Sequence, residues 1–164
     1  MKRPEDDGWR ICPDVPELLL SIIPRDAKVV ELGGGMGSPY LHHLFNQAIT
    51  IEHAQAWADY LRELGLSFMH LPLVDGWYQE SQELNEALKA ADCIIVDGPP
   101  GQLRAHIRTR LHHFPPDCVV VWDDSQRPHA RELLAELTAA GWKLLSEVQD
   151  GHRRTTIMKT PRHG

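Results

Sequence analysis

The sequence predicts a doubly wound α/β domain: a mostly parallel sheet with helices on both faces, closed by one antiparallel strand. Three observations lead there. Apolar runs at residues 28–32, 93–96 and 118–122 are nearly continuous, as in strands covered on both faces. Segments with helical spacing separate most of the runs. Gln149-Asp150-Gly151-His152 joins the last two runs, an Asp-Gly hairpin signal that makes the final strand antiparallel to its neighbour.

The elements follow in order. A helix over 15–23 forms the centre of an N-terminal helical segment, 1–24. The first strand, 28–32, runs into Gly33-Gly34-Gly35 and a short helix over 39–45. The second strand, 48–52, leads to a helix over 54–64 with Trp57, Tyr60, Leu61 and Leu64 on one face, stopped at Gly65. A weaker third strand covers 66–71, and a helix covers 82–90. The fourth strand, 93–96, ends at Asp97-Gly98-Pro99-Pro100 and is followed by a helix over 101–114 that Pro115-Pro116 closes. The fifth, 118–122, ends at Asp123-Asp124. The helix after it, 128–140, carries Leu133, Leu134 and Leu137 on one face and stops at Gly141. Strands six and seven are 142–148 and 155–159. With no repeat or linker, 164 residues make one domain, 1–164.

Composition narrows the function classes. Apolar residues are 42% and charged residues 24% of the chain, ordinary for a globular domain. No apolar run approaches the ~18–20 residues that span a bilayer, and no apolar stretch follows Lys2-Arg3, so the reading is cytoplasmic with no membrane partner. Cys12, Cys93 and Cys118 show no metal-ligand spacing; Cys93 and Cys118 open strands and read as small buried hydrophobes. A net charge of −6 argues against a nucleic-acid partner. Arg104, Arg108 and Arg110 read as a solvated helix face, and Arg153-Arg154 as a strand start.

Ligands of such folds sit beyond the carboxyl ends of the parallel strands. The strongest motif there is Glu31-Leu32-Gly33-Gly34-Gly35-Met36-Gly37-Ser38. Its glycines let the backbone approach a ligand, and its N–H groups form a donor-rich cradle. Gly33-x-Gly35-x-Gly37 departs from the G-x-G-x-x-G dinucleotide fingerprint. A tight strand-to-helix turn is the plainer alternative. Glu52 ends the second strand, where a carboxylate can accept ribose hydroxyls or stabilise a helix start; it disfavours a 2′-phosphate. His53 beside it either neighbours a helix cap or lines the pocket.

In combination these features resemble the class I, Rossmann-like S-adenosylmethionine-dependent methyltransferases, over residues 27–159. The resemblance implies a sheet ordered 3-2-1-4-5-7-6 with strand seven antiparallel. It also implies S-adenosyl-L-methionine as cofactor, with Glu31, Gly33, Gly34, Gly35, Gly37 and Ser38 around its methionine part and Glu52 on its ribose. Many members have an acid near the end of strand three that reads the adenine amine. Here Asp75 is the candidate, although it falls late in the sequence.

Asp97, Asp123 and Asp124 end two adjacent strands and converge. Close like charges need protons or a cation, and an all-oxygen donor set suits Mg²⁺ or Mn²⁺. The layout is similar to that of cation-dependent O-methyltransferases of the catechol type, with Asp124 where their pattern has Asn. That similarity implies a metal at Asp97, Asp123 and Asp124, and catalytic roles for Asp97 and Asp124. Helix capping and turn formation are the structural alternatives for these acids. Arg104 could bind an acidic acceptor or pair with Asp97, and Arg127 and His129 could face the acceptor. The resulting expectation is methylation of a small hydroxylated or sugar-like acceptor, a small molecule or glycan, with divalent-cation assistance. The alternatives are a metal-free methyltransferase and a non-catalytic nucleoside-binding domain. A chain this short predicts an open site or one completed by a second subunit in a homodimer.

Overall fold

The computed structural model describes residues 11–162. Residues 1–10 of the expected N-terminal segment lie outside them. Nine strands, six helical segments and their connections form the described chain. They are α1 (Val15–Leu20), β1 (Lys28–Leu32), α2 (Ser38–Leu44), β2 (Gln47–Glu52), α3 (Gln55–Glu63), β3 (Phe68–His70), β4 (Leu73–Val74), β5 (Trp77–Tyr78), α4 (Gln82–Lys89), β6 (Cys93–Val96), a 3-10 helix (Gly101–His113), β7 (Val119–Trp122), α5 (Pro128–Ala139), β8 (Lys143–Asp150) and β9 (Arg153–Lys159).

Seven strands form one sheet in the order β3-β2-β1-β6-β7-β9-β8. All neighbours pair in parallel except β9, which is antiparallel to both β7 and β8. The sheet order and its single reversed strand match the sequence expectation. Alternate residues explain the two-sided burial. Val30, Leu32, Ile94, Val96, Val120 and Trp122 pack toward α4, the 3-10 helix and α5. Val29, Cys93, Ile95, Val119 and Val121 pack toward α1 and α2.

Three details differ from the sequence reading. The segment 73–78 is a small antiparallel hairpin, β4–β5, that the sequence reading left unassigned. Its turn residues Asp75 and Gly76 both take positive φ, 50° and 82°, the conformation that an Asp-Gly turn between short strands favours. The expected α-helix over 101–114 is wound with 3-10 turns, and its burial has period three: Arg104, Ile107 and His113 are buried and Arg110 is half-buried. A three-residue turn stacks those positions on one side, whereas an α-helix would spread them. On α3, Ala58 and Leu61 are buried while Leu64 is 47% exposed, so the inward face is narrower than expected.

The glycine loop after β1 is set by two constraints. Gly33 has φ +93° and its backbone lies against the loop after β6; a Cβ there would fall 2.6 Å from Gly98 N. Beneath the loop, the buried Glu31 carboxylate accepts hydrogen bonds from Ser38 Oγ at 2.7 Å and Thr50 Oγ1 at 2.6 Å. Ser38 Oγ in turn accepts from Gly35 N at 3.0 Å. Burial pushes the Glu31 carboxyl up to about 7, against the two hydroxyl bonds that lower it.

Two outcomes follow. Gly33→Ala combines a disfavoured φ with a backbone clash and lowers stability by about 3 kcal/mol or more, read as a shift in the urea midpoint. Glu31 binds its proton more tightly folded than unfolded. Its contribution therefore favours the folded state at low pH and is lost as pH rises from about 4.5 to about 7. In denaturation curves across that range, wild type loses about 3 kcal/mol relative to Glu31→Gln, which has no proton to lose. A parallel response of the two proteins contradicts the assignment.

Candidate functional site

A cleft of about 170 Å³ opens at the carboxyl edge of the sheet, between the loops after β1, β2 and β6. It is smaller than the roughly 300–1,000 Å³ of pockets that enclose a whole small ligand, so it seats part of one. Gly33, Gly34, Glu52, His53, Ala54, Trp57, Asp97 and Pro100 line it. A larger depression of about 800 Å³ lies at the opposite edge, beside Asp92, Asp117 and Lys143. The strand-end motifs converge on the smaller cleft, so chemistry and not volume identifies the site.

Glu52 is 2% exposed and accepts three backbone N–H groups: His53 and Ala54 on Oε1 at 2.7 and 2.6 Å, and Gly34 on Oε2 at 2.7 Å. His53 Nδ1 also stands 3.0 Å from Oε1, so Oε1 is crowded while Oε2 meets only Gly34 N and has room for a further donor. Glu52 thus anchors the loop to the start of α3 and retains one acceptor for a ligand hydroxyl. Gly34 is needed for this approach: a Cβ there would come within 3.0 Å of Thr50 and Leu61 side chains.

The structure divides the sequence-derived cofactor residues. Gly33, Gly34, Glu52 and His53 meet at the cleft. Glu31, Gly35 and Ser38 act behind the loop, in the hydrogen-bonded network beneath it, and Gly37 precedes α2 as its cap. Asp75 is exposed on the β4–β5 turn and borders a separate depression with His106 and Arg110. Its placement follows from the Asp-Gly turn, in which it takes the first position with φ 50°. Ala54, Trp57 and Pro100 are cleft residues the motif reading did not single out, because nothing but their neighbours distinguishes them from structural residues.

Asp97, Asp123 and Asp124 do converge, but arginines accompany them. Arg153 Nη2 lies 2.8 Å from Asp123 Oδ2, and Arg127 Nη2 2.6 Å from Asp124 Oδ2. Asp123 also accepts from Thr155 Oγ1 at 2.9 Å. Arg104, expected either on a solvated face or as a partner for Asp97, is 7% exposed and takes the second place. It donates to the main-chain oxygens of Asp123 (3.0 Å), Pro99 (3.3 Å) and Asp97, and stands 3.5 Å from the Asp97 carboxylate and 3.8 Å from that of Asp124. Among the described residues no group of three or more His, Cys, Asp or Glu side chains is arranged to hold a metal ion. The donor set does not fit Mg²⁺ or Mn²⁺: guanidinium groups stand against all three acids, and both carboxylate oxygens of Asp123 already accept hydrogen bonds, from Thr155 and Arg153.

Asp97 is the one of the three carboxyls that lines the cleft. Burial raises its pKa well above the ordinary carboxylate range, the neighbouring Asp123 carboxylate raises it further, and Arg104 offsets part of both. Asp124 adopts a left-handed φ of 53° and is held among Arg104, Arg127 and Arg153. Cys93 and Cys118 are buried with free thiols, as their apolar settings imply. No described helix is long and apolar enough to cross a membrane.

Comparison with protein-family models gives no match, and comparison with curated proteins by sequence gives none either. Solved structures do match. A precorrin-6y C5,15-methyltransferase from Geobacter metallireducens superposes with a TM-score of 0.66 at 13% identity, over 96% of this chain and 93% of that one. The O-methyltransferase TomG from Streptomyces achromogenes, solved with SAM, gives 0.64 at 17% identity, over 94% and 83%. An RNA methyltransferase from Salinibacter ruber, solved with S-adenosyl-L-homocysteine, gives 0.60 at 14% identity, over 94% and 95%. The chain is thus similar, in fold and over nearly its whole length, to methyltransferases of the seven-stranded α/β architecture.

Proposed function

We propose that the chain is an S-adenosylmethionine-dependent methyltransferase that methylates an oxygen of a small hydroxylated or sugar-like acceptor without a divalent cation. The observation that carries this reading is the cleft itself. A glycine loop and a strand-end carboxylate with one acceptor left meet there, at the carboxyl edge of a sheet with methyltransferase strand order. Gly33, Gly34, Glu52 and His53 would hold the nucleoside end of the cofactor. Bound there, S-adenosylmethionine would supply an electrophilic methyl group on its sulfonium.

The protein's own part is binding, orientation and proton transfer. Asp97 borders the cleft, where its carboxylate form takes the acceptor's hydroxyl proton as the methyl group moves to oxygen and S-adenosylhomocysteine leaves. Asp123 and Arg104 fix Asp97 from behind. Asp124 holds the arginines and does not line the cleft, so its role is positioning. The arginine pairs support the metal-free alternative over cation assistance. The variety of acceptors named for the solved methyltransferases leaves the acceptor to be found by screening.

The test is isothermal titration with S-adenosylhomocysteine, with and without Mg²⁺, followed by methyl-label transfer from S-adenosylmethionine to a panel of hydroxylated acceptors. Binding indifferent to Mg²⁺, and turnover indifferent to EDTA, are expected. Asp97→Asn should reduce turnover about 10²–10⁴-fold while S-adenosylhomocysteine still binds. Activity abolished by EDTA and restored by Mg²⁺ overturns the metal-free assignment. Binding without transfer to any acceptor favours a nucleoside-binding domain, and failure to bind removes the methyltransferase reading.

A further inference from the structure

At the strand-end edge the two signs of charge lie at different depths. The Asp123 side chain is buried and that of Asp124 is 11% exposed, whereas Arg127 is 42% exposed and Arg153 is half-buried. Carboxylates inside and guanidinium groups outside leave a positive potential facing solvent. The chain as a whole carries a net charge of −6, so this edge runs against its general character.

Arg127 is the outermost of these cations. Its Nη2 meets Asp124 Oδ2 at 2.6 Å, the one ion pair its side chain makes among the described residues. A guanidinium presents its N–H donors in a rigid fork, so most of them remain for another oxyanion. The first turn of α5, which starts beside Arg127, carries no acid to offset it. Arg104 reaches the same Asp124 oxygen at 3.8 Å and Asp97 Oδ1 at 3.5 Å. Arg127 is thus linked to Asp97 through one guanidinium and one carboxylate. The Asp97 side chain is itself partly open to solvent, so a single small acceptor can meet both residues.

We propose that the acceptor carries an anionic group, a carboxylate or a phosphate, beside its reacting hydroxyl, and that Arg127 is the residue that selects it. This deepens the methyltransferase reading given above and rests on it. The Arg127 fork matches the edge of either oxyanion with a pair of parallel N–H···O bonds. Arg153, 2.8 Å from Asp123 and 3.6 Å from Asp124, adds a second cation to the field. Neutral acceptors gain nothing from these charges. The selection is made in binding, so it acts on KM and leaves the proton transfer to Asp97 unchanged.

The test follows the arginine Nε–H signals of the protein, saturated with S-adenosylhomocysteine, in proton–nitrogen correlation spectra. The titrants are inorganic phosphate, benzoate and chloride at constant ionic strength. The Arg127 signal should shift saturably at millimolar concentration with phosphate, benzoate or both, and not with chloride. Arg127→Gln should weaken that binding about tenfold, read from the Arg153 signal, and Arg127→Lys should weaken it less, since it keeps the charge and loses the fork. Arg108→Gln, which removes an exposed arginine paired with Glu136, should leave it unchanged. A response to phosphate alone assigns a phosphate-bearing acceptor, and a response to benzoate alone a carboxylate-bearing one. Among hydroxylated acceptors, the acidic ones should be turned over, and Arg127→Gln should raise their KM about tenfold with kcat little changed. No saturable shift, an equal shift with chloride, equal binding by Arg127→Gln, or turnover confined to neutral acceptors overturns the proposal and leaves the methyltransferase reading standing. Failure of the wild type to bind S-adenosylhomocysteine removes the reading on which the proposal rests.

Discussion

Arg104 reaches from the 3-10 helix to the ends of two strands and donates to the main-chain oxygens of Asp97, Pro99 and Asp123. The loops after β6 and β7 thereby share one buried cation. That cation also makes the acidic edge tolerable, since it stands beside the Asp97 and Asp124 carboxylates. Taking one partner out of a buried ion pair typically destabilises by about 3–5 kcal/mol. An aliphatic side chain at 104 would strand three carbonyls and leave the Asp97 carboxylate without its neighbouring cation. The cleft keeps its shape because this guanidinium fixes one of its walls, and the Gly33–Gly98 contact fixes another.

The architecture was legible because it rests on period and punctuation. Short, β-branched apolar runs at 93–96 and 119–122 mark strands buried on both faces, and Asp150-Gly151 between two strand-like runs marks a hairpin. The 3-10 winding was hidden because Arg104 and Arg110 carry charges at positions that turn inward; a hydrophobic pattern cannot register a buried arginine. The 73–78 hairpin was missed although Asp75-Gly76 carries the same signal as Asp150-Gly151, because two-residue strands are too short to show alternation.

The site was legible in its acids and glycines and opaque in its counter-charges. Nothing in the chain order links Arg153 to Asp123, thirty residues away. A cluster of strand-end carboxylates read in isolation asks for a metal. Read with Arg104, Arg127 and Arg153 in place, it is a largely compensated network. The glycine motif divides in a similar way. Gly33 and Gly34 face the cleft, while Glu31 and Ser38 brace the loop from below, a distinction that linear spacing cannot make.

The thirteen-residue 3-10 helix has a dynamic consequence. Its hydrogen bonds are less well aligned than those of an α-helix, and runs longer than three or four residues are uncommon. It also carries Arg104, whose side chain pins the β6 and β7 loops. Because Arg104 bonds carbonyls of both loops, any local opening of this helix would release the β6 and β7 loops together.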